Sequence, residues 1–152
     1  AFLALGGRYV GLDEALAQAD VVSLHCPLTP QTHHLIDAPR LATCKPGLIL
    51  VNTSRGALVD TDSVIEALKA EHLGGLAIDV YEQEADVFYR DWSSAIVADD
   101  TLERLLSFHN VIVTGHQAFF TREAMSTISR TTIASIGQFA RGERLTDELV
   151  AA

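Results

Sequence analysis

The sequence predicts an α/β fold, a doubly wound parallel sheet with a long helix at its C-terminal end. Three observations carry that expectation. Four short runs of aliphatic and β-branched residues are each closed by a polar or turn residue. Segments with apolar residues at helical spacing lie between those runs. Strands alternating with helices call for a parallel sheet with right-handed crossovers.

The elements follow in chain order. Leu12 to Ala19 places Leu12, Ala15, Leu16 and Ala19 at helical spacing. Asp20 to Cys26, stopped by Pro27, is expected as a strand buried on both faces. Asp37 to Thr43 reads as a short helix with Asp37 as N-cap. Leu48 to Asn52 follows the turn signal Pro46-Gly47 and reads as the second strand. Asp60 or Thr61 caps a helix whose inner face carries Val64, Ile65 and Leu68, expected to end near Gly74. Gly74-Gly75 then precedes the third strand, Leu76 to Val80. Thr101 to Ser107 is a helix carrying Leu102, Leu105 and Leu106, and Val111 to Thr114 is the fourth strand. A longer helix from Thr121 to Ala140 carries Ala124, Ile128, Ile133, Ile136 and Phe139. Between Glu84 and His116, the aromatics Phe88, Tyr89 and Trp92 sit among acidic residues. That stretch reads as a surface insertion whose aromatics pack inward.

With 152 residues, 48% of them apolar, the chain can build one domain with a real core. Eleven basic residues against 20 acidic ones give a formal net charge of −9. That balance argues against a nucleic-acid partner and against an anionic membrane surface. No run reaches the roughly 18 apolar residues of a membrane span. No basic segment followed by an apolar run opens the chain, so no signal peptide is expected. Cys26 and Cys44 are expected as two plain buried thiols, which suits a reducing, cytoplasmic compartment. The chain begins at Ala1 and its one methionine is Met125, so the expectation is a fragment of a longer protein.

In open parallel sheets, ligands bind outside the carboxyl ends of the strands. Those ends here are His25-Cys26-Pro27, Asn52 to Gly56, Asp79 to Glu84 and Gly115-His116-Gln117. Arg55 offers a planar, permanently charged fork that fits a carboxylate, although a surface arginine capping a turn would look the same. His116 is the residue type for proton transfer near neutral pH, although one histidine among six is more often structural. A carboxylate beside such an imidazole stabilises its charged form and orients the ring. Glu84 and Glu82 both qualify, since periodicity does not separate them. Together these three groups are what redox chemistry on a 2-oxo or 2-hydroxy acid needs. No metal site is expected: His33-His34 is a loop pair, and no H-x-x-x-H lies on a predicted helix. Gly6-Gly7-Arg8-Tyr9-Val10-Gly11 has the wrong spacing for a G-x-G-x-x-G phosphate turn and reads as a turn before a helix.

Val51-Asn52-Thr53-Ser54-Arg55-Gly56 with Leu58-Val59-Asp60 resembles the arginine signature of the D-isomer-specific 2-hydroxyacid dehydrogenases. Asp79-Val80-Tyr81-Glu82-Gln83-Glu84 resembles the acid signature of the same family, and residues 21–150 resemble its C-terminal part. The resemblance implies a partial Rossmann-type sheet. Residues 1–116 would be the C-terminal part of an NAD-binding domain. Residues 117–152 would be a helix and tail returning to the substrate domain, with the N-terminal half missing. Residues 114–120 and the long insertion before them resemble the members that interconvert pyruvate and D-lactate. Phosphoglycerate dehydrogenases and glyoxylate reductases usually have a shorter segment there, and formate dehydrogenases carry glutamine in place of the acid.

The resemblance also implies roles. Arg55 would bind the substrate carboxylate and polarise its carbonyl, and it would also border the cofactor. His116 would exchange the proton, and Glu84, rather than Glu82, would pair with it. Cys26, Pro27 and Thr32 would line the NAD cofactor. Thr53 and Ser54 would lie beside the nicotinamide ribose, and Asp79 would contact the carboxamide. Phe119 would wall the pocket against the substrate methyl. The partners implied are a small 2-oxo or 2-hydroxy acid and further copies of the chain in a dimer or tetramer. The competing expectations are another 2-hydroxyacid dehydrogenase, a dehydrogenase-like corepressor that senses NADH, and an α/β binding module in which the three residues are structural.

Overall fold

The computed structural model describes residues 3–88, 91, 92, 94 and 99–145. They fall into two compact units, Ala1–His116 and Gln117–Ala152. The first unit holds four parallel strands, β1 (Val21–Leu24), β2 (Leu48–Asn52), β3 (Leu73–Ile78) and β4 (Val111–Val113). They lie side by side in chain order, with Val21 opposite Ile49, Ile49 opposite Gly75 and Leu76 opposite Val111. The intervening helices are α1 (Leu12–Gln18), α2 (Ala38–Thr43), α3 (Thr61–Lys69), α4 (Glu84–Val87) and α5 (Asp100–Leu106).

Right-handed crossovers between strands laid down in chain order all pass over the same face of a sheet. The helices obey this rule, with α1 against α2, α2 against α3, and α3 against α5 in one layer. Side chains alternate across a strand, so one face of the sheet is covered and the other is not. On β2, Leu48, Leu50 and Asn52 are buried while Ile49 is 43% exposed. Val21 and Ile112 lie on the same open face and are also exposed. The expectation that Asp20 to Cys26 is buried on both faces is thus corrected. Its strand is the shorter Val21–Leu24 at the edge of the sheet, and only Leu24 is buried. Cys44 is buried, but Cys26, past the end of that strand, is half-exposed, and both thiols are free.

The core is formed by Leu16 of α1, Leu48 and Leu50 of β2, Val64 and Leu68 of α3, Leu73 and Leu76 of β3, and Leu105 of α5. Burying each large aliphatic side chain fully contributes about 1.5–3 kcal/mol. Asp37 caps α2 by accepting from Arg40 N, Asp60 caps α3 through Ser63 N, and Asp99 caps α5 through Leu102 N. The carboxyl of Asp60 is held below its ordinary range, first by the hydroxyl of Ser63, which donates to it at 2.7 Å.

The third crossover departs from expectation in two ways. Helix α3 ends at Lys69, not near Gly74, and Glu71 takes a left-handed turn at φ +55°. Gly74 and Gly75 then lie inside β3. A Cβ on Gly74 would stand 3.0 Å from Gly47 Cα and nearer still to the Gly47 carbonyl. These glycines admit a neighbouring backbone rather than make a turn. Asp79 and Val80 fall just beyond the strand. The stretch after Glu84 contains the short helix α4, which the sequence pattern did not indicate. Phe88 packs on the core beside Tyr81, and Trp92 Nε1 donates to Val87 O at 2.8 Å. Tyr89 lies outside the described residues.

In the second unit, α6 (Arg122–Ala140) is capped by Thr121, whose hydroxyl accepts from Ala124 N. Its apolar side chains Ile128, Ile133, Ile136 and Phe139 are exposed. No helix among the described residues is long and apolar enough to cross a membrane.

Candidate active site

Several polar residues of the first unit lie at the carboxyl ends of its strands. At the end of β2 the buried amide of Asn52 builds the turn that presents Arg55. Its Nδ2 donates to Arg55 O at 2.8 Å, and its Oδ1 accepts from Ser54 N at 3.1 Å. Ser54 Oγ donates to Cys26 O at 2.7 Å, which ties this turn to the end of β1. Arg55 itself is exposed, and its Nη1 donates to the carbonyl of Ser54. Thr53 is exposed beside it.

At the end of β3, Asp79 is 4% exposed and its Oδ1 accepts from Thr114 Oγ1 at 2.5 Å. The backbone turns so that Glu84 Oε2 accepts from Tyr81 N at 3.1 Å. Glu84 Oε1 is 3.0 Å from His116 Nδ1, both side chains being largely buried. An ionised carboxylate only accepts, so in that pairing Nδ1–H donates. His116 sits at φ +54°, an uncommon region for a residue with a side chain. Its N–H donates to Asp79 O at 2.7 Å, so the end of β3 fixes that backbone.

The structure thus separates the two acids that periodicity left equal. Glu84 faces His116, while Glu82 lies against His34, with Oε1 2.7 Å from Nε2. Arg55 makes no bond to the Glu84–His116 pair among the described residues, but it lies just past the end of β2, which neighbours β3, the strand that Glu84 follows. Thr32 uses its hydroxyl to close its own loop, donating to Pro27 O and accepting from Thr29 N. Phe119 belongs to the second unit, where it is half-exposed and meets Phe120 edge to face.

Three contributors escaped the sequence reading. Asn52 shapes the Arg55 turn, and Thr114 holds Asp79. Gly56 lets the two turns touch: a Cβ there would lie 2.5 Å from Glu82 N and nearer still to the Tyr81 carbonyl. A glycine directly after a charged strand-end residue was the available signal for that close approach.

A parallel sheet with polar turns gathered at the carboxyl ends of adjacent strands is the architecture of nucleotide-binding α/β domains. A buried carboxylate, hydroxyls and backbone groups on that edge suit the amide and ribose of a nicotinamide nucleoside. The sequence matches the family described as "D-isomer specific 2-hydroxyacid dehydrogenase, NAD binding domain" over residues 2–118. The chain belongs to that family, and this part of it is the NAD-binding domain. It is 47% identical over 150 residues to the D-lactate dehydrogenase of Escherichia coli, covering 99% of this chain and 46% of that protein. It is 51% identical over 146 residues to a 2-hydroxyacid dehydrogenase homolog of Zymomonas mobilis, covering 96% of this chain and 44% of that one. The solved pyruvate reductase of Chlamydomonas reinhardtii superposes with a TM-score of 0.90 at 39% identity, covering 95% of this chain and 45% of that structure. The chain spans less than half the length of these two curated relatives.

Proposed function

We propose that this chain is the catalytic and nicotinamide-side portion of an NAD-dependent D-2-hydroxyacid dehydrogenase that interconverts pyruvate and D-lactate. The observation that carries the reading is the Glu84–His116 contact, which joins the ends of β3 and β4, with Arg55 just past the end of β2, the neighbour of β3. The bound dinucleotide supplies or accepts the hydride. Arg55 anchors the substrate carboxylate and polarises its carbonyl. His116 gives its Nε2 proton to the carbonyl oxygen during reduction and takes it back during oxidation. Glu84 accepts from Nδ1 and so orients the ring and fixes its tautomer. Asp79, Ser54, Thr53, Thr32, Pro27 and Cys26 border the cofactor, and Phe119 bounds the substrate methyl. The domain boundary falls at His116, with residues 117–152 returning to the substrate domain. Names of relatives such as D-lactate dehydrogenase and pyruvate reductase support the substrate.

The test uses the whole protein that contains this chain. NADH oxidation is measured with pyruvate and with bulkier 2-oxo acids, and NAD reduction with D- and L-lactate. Preference for pyruvate and for the D isomer is expected. Turnover confined to L-lactate, or a stronger preference for another 2-oxo acid, overturns the assignment. NADH binding without turnover on any 2-oxo acid favours the corepressor-like alternative.

A further inference from the structure

Away from the Glu84–His116 pair, the fold gathers a second set of ligating side chains. His33 and His34 lie in the loop after β1, and Glu82 lies in the turn after β3. One ligand atom from each of the three lies within 4.8 Å of the others. His34 Nε2 and Glu82 Oε1 are already 2.7 Å apart, and the two imidazole rings stack with centroids 4.0 Å apart. Thr61 Oγ1 donates to Glu82 Oε2 at 3.1 Å, which orients the carboxylate as an outer-shell partner does in a metal site. The His34 backbone is held at φ +49° by a 2.8 Å bond from its N–H to Ala57 O. The side chains of His34 and Glu82 are 34% and 27% exposed, so water can reach the cluster.

We propose that His33, His34 and Glu82 form a binding site for a divalent d-block cation, zinc above all. Two imidazoles and one carboxylate are borderline donors that suit Zn²⁺, whereas Mg²⁺ and Ca²⁺ favour oxygen alone. Four-coordinate Zn²⁺ with bonds of about 2.0–2.1 Å sets its ligand atoms roughly 3.4 Å apart. The donors therefore converge by up to about 1.4 Å, a step that rotation of the exposed His33 supplies. Water takes the fourth position. The metal displaces the hydrogen bond between His34 and Glu82 and replaces it with two coordinate bonds. It thereby cross-links the loop that carries Pro27 and Thr32 to the turn that carries Glu84, groups distant in sequence.

The experiment is a titration of the whole protein, freed of metal by a chelator, with Co²⁺ and then Zn²⁺. Its readout is metal binding, so it stands or falls separately from the dehydrogenase assignment. One equivalent of Co²⁺ is expected to give the intense visible absorption of a four-coordinate ion, and Zn²⁺ is expected to displace it. His33→Ala and Glu82→Gln are each expected to weaken binding by more than the roughly 10–100-fold that loss of an outer-shell partner costs. His25→Ala, which removes an exposed histidine outside the cluster, is expected to leave binding unchanged. Circular dichroism and a melting curve identify any variant that has not folded, and His33→Gln then replaces His33→Ala. No binding, a six-coordinate spectrum, equal loss in His25→Ala, or loss in only one of the two ligand variants overturns the three-ligand site. His34–Glu82 is then an ion pair only.

Discussion

Gly56→Ala tests whether the Arg55 turn and the acid turn are locked together by shape. A Cβ at position 56 would lie 2.5 Å from Glu82 N, with the Tyr81 carbonyl nearer still. Such atoms relax to contact at about 3.5 Å, so the two turns must part by at least about 1 Å. The obstructing atoms are backbone, and no rotamer change relieves them. Parting the turns moves Arg55 relative to Glu84 and the His116 that it holds. A misplacement of 1 Å costs on the order of 10²-fold in rate, or about 2.7 kcal/mol of activation free energy. Overpacking of this kind also costs about 1–3 kcal/mol of stability. The assay is kcat/KM for pyruvate at saturating NADH in the whole protein, with a urea melt of the same variant to establish that it is folded at the assay temperature. A variant with kcat/KM within about twofold of the parent and an unchanged urea midpoint refutes the steric lock, since that change is only about 0.4 kcal/mol.

Arg55→Lys keeps the charge but loses the fork, and is expected to lower kcat/KM for pyruvate by about two to three decades with NADH affinity nearly unchanged; unaltered pyruvate kinetics removes Arg55 from the site. Glu84→Gln is expected to lower kcat by about 10²-fold, and Glu82→Gln by at least about tenfold less, in line with the size of acid–base contributions; the reverse order exchanges their roles. Asp60→Ala removes the α3 cap and is expected to cost about 1 kcal/mol near neutral pH, read as a lower urea midpoint. Because the folded Asp60 carboxyl is held below its ordinary range, the part of that difference due to its charge is complete above the unfolded value of about 3.9. It is lost as pH falls through the lower folded value, so the gap between parent and variant narrows in acid and a widening gap contradicts the cause given. The 152-residue chain by itself, which carries no G-x-G-x-x-G turn, is expected to show no pyruvate-dependent NADH oxidation; a rate near that of a whole dehydrogenase overturns this.

Local signals predicted the elements well where local chemistry decides them. Asp37 caps the helix that follows it, Asp60 rather than Thr61 caps the next, and Leu48–Asn52 is a strand from first to last residue. The misreadings occur where a distant backbone decides. Gly74 and Gly75 look like a turn in sequence, yet they are strand residues because the Gly47 turn and Asn110 crowd them. Val21 looks like a doubly buried strand residue, but its burial depends on which face the crossovers cover. At the site, residue types and strand ends already pointed to Arg55, His116 and a nearby acid. Choosing Glu84 over Glu82 from the residues alone was impossible, because the turn between Asp79 and Glu84 follows neither helical nor strand period. In sequence, His34 reads as part of a loop pair, since its partner Glu82 is 48 residues away.

The match between strand order in space and strand order along the chain has a kinetic consequence. A ribosome delivers the N-terminus first, at roughly 5–20 residues per second. Each strand can then dock on the edge left by the one before it, with no earlier pairing to undo. β1 receives β2, β2 receives β3, and β3 receives β4 last. The turn holding Glu84 is therefore in place before the histidine that it orients has been synthesised. Translation that stops short of Gly115 leaves a sheet able to form with most of its core, Arg55 and Glu84 present, and no His116. Among these four strands, the last to pair and the Glu84–His116 contact are completed at the same step.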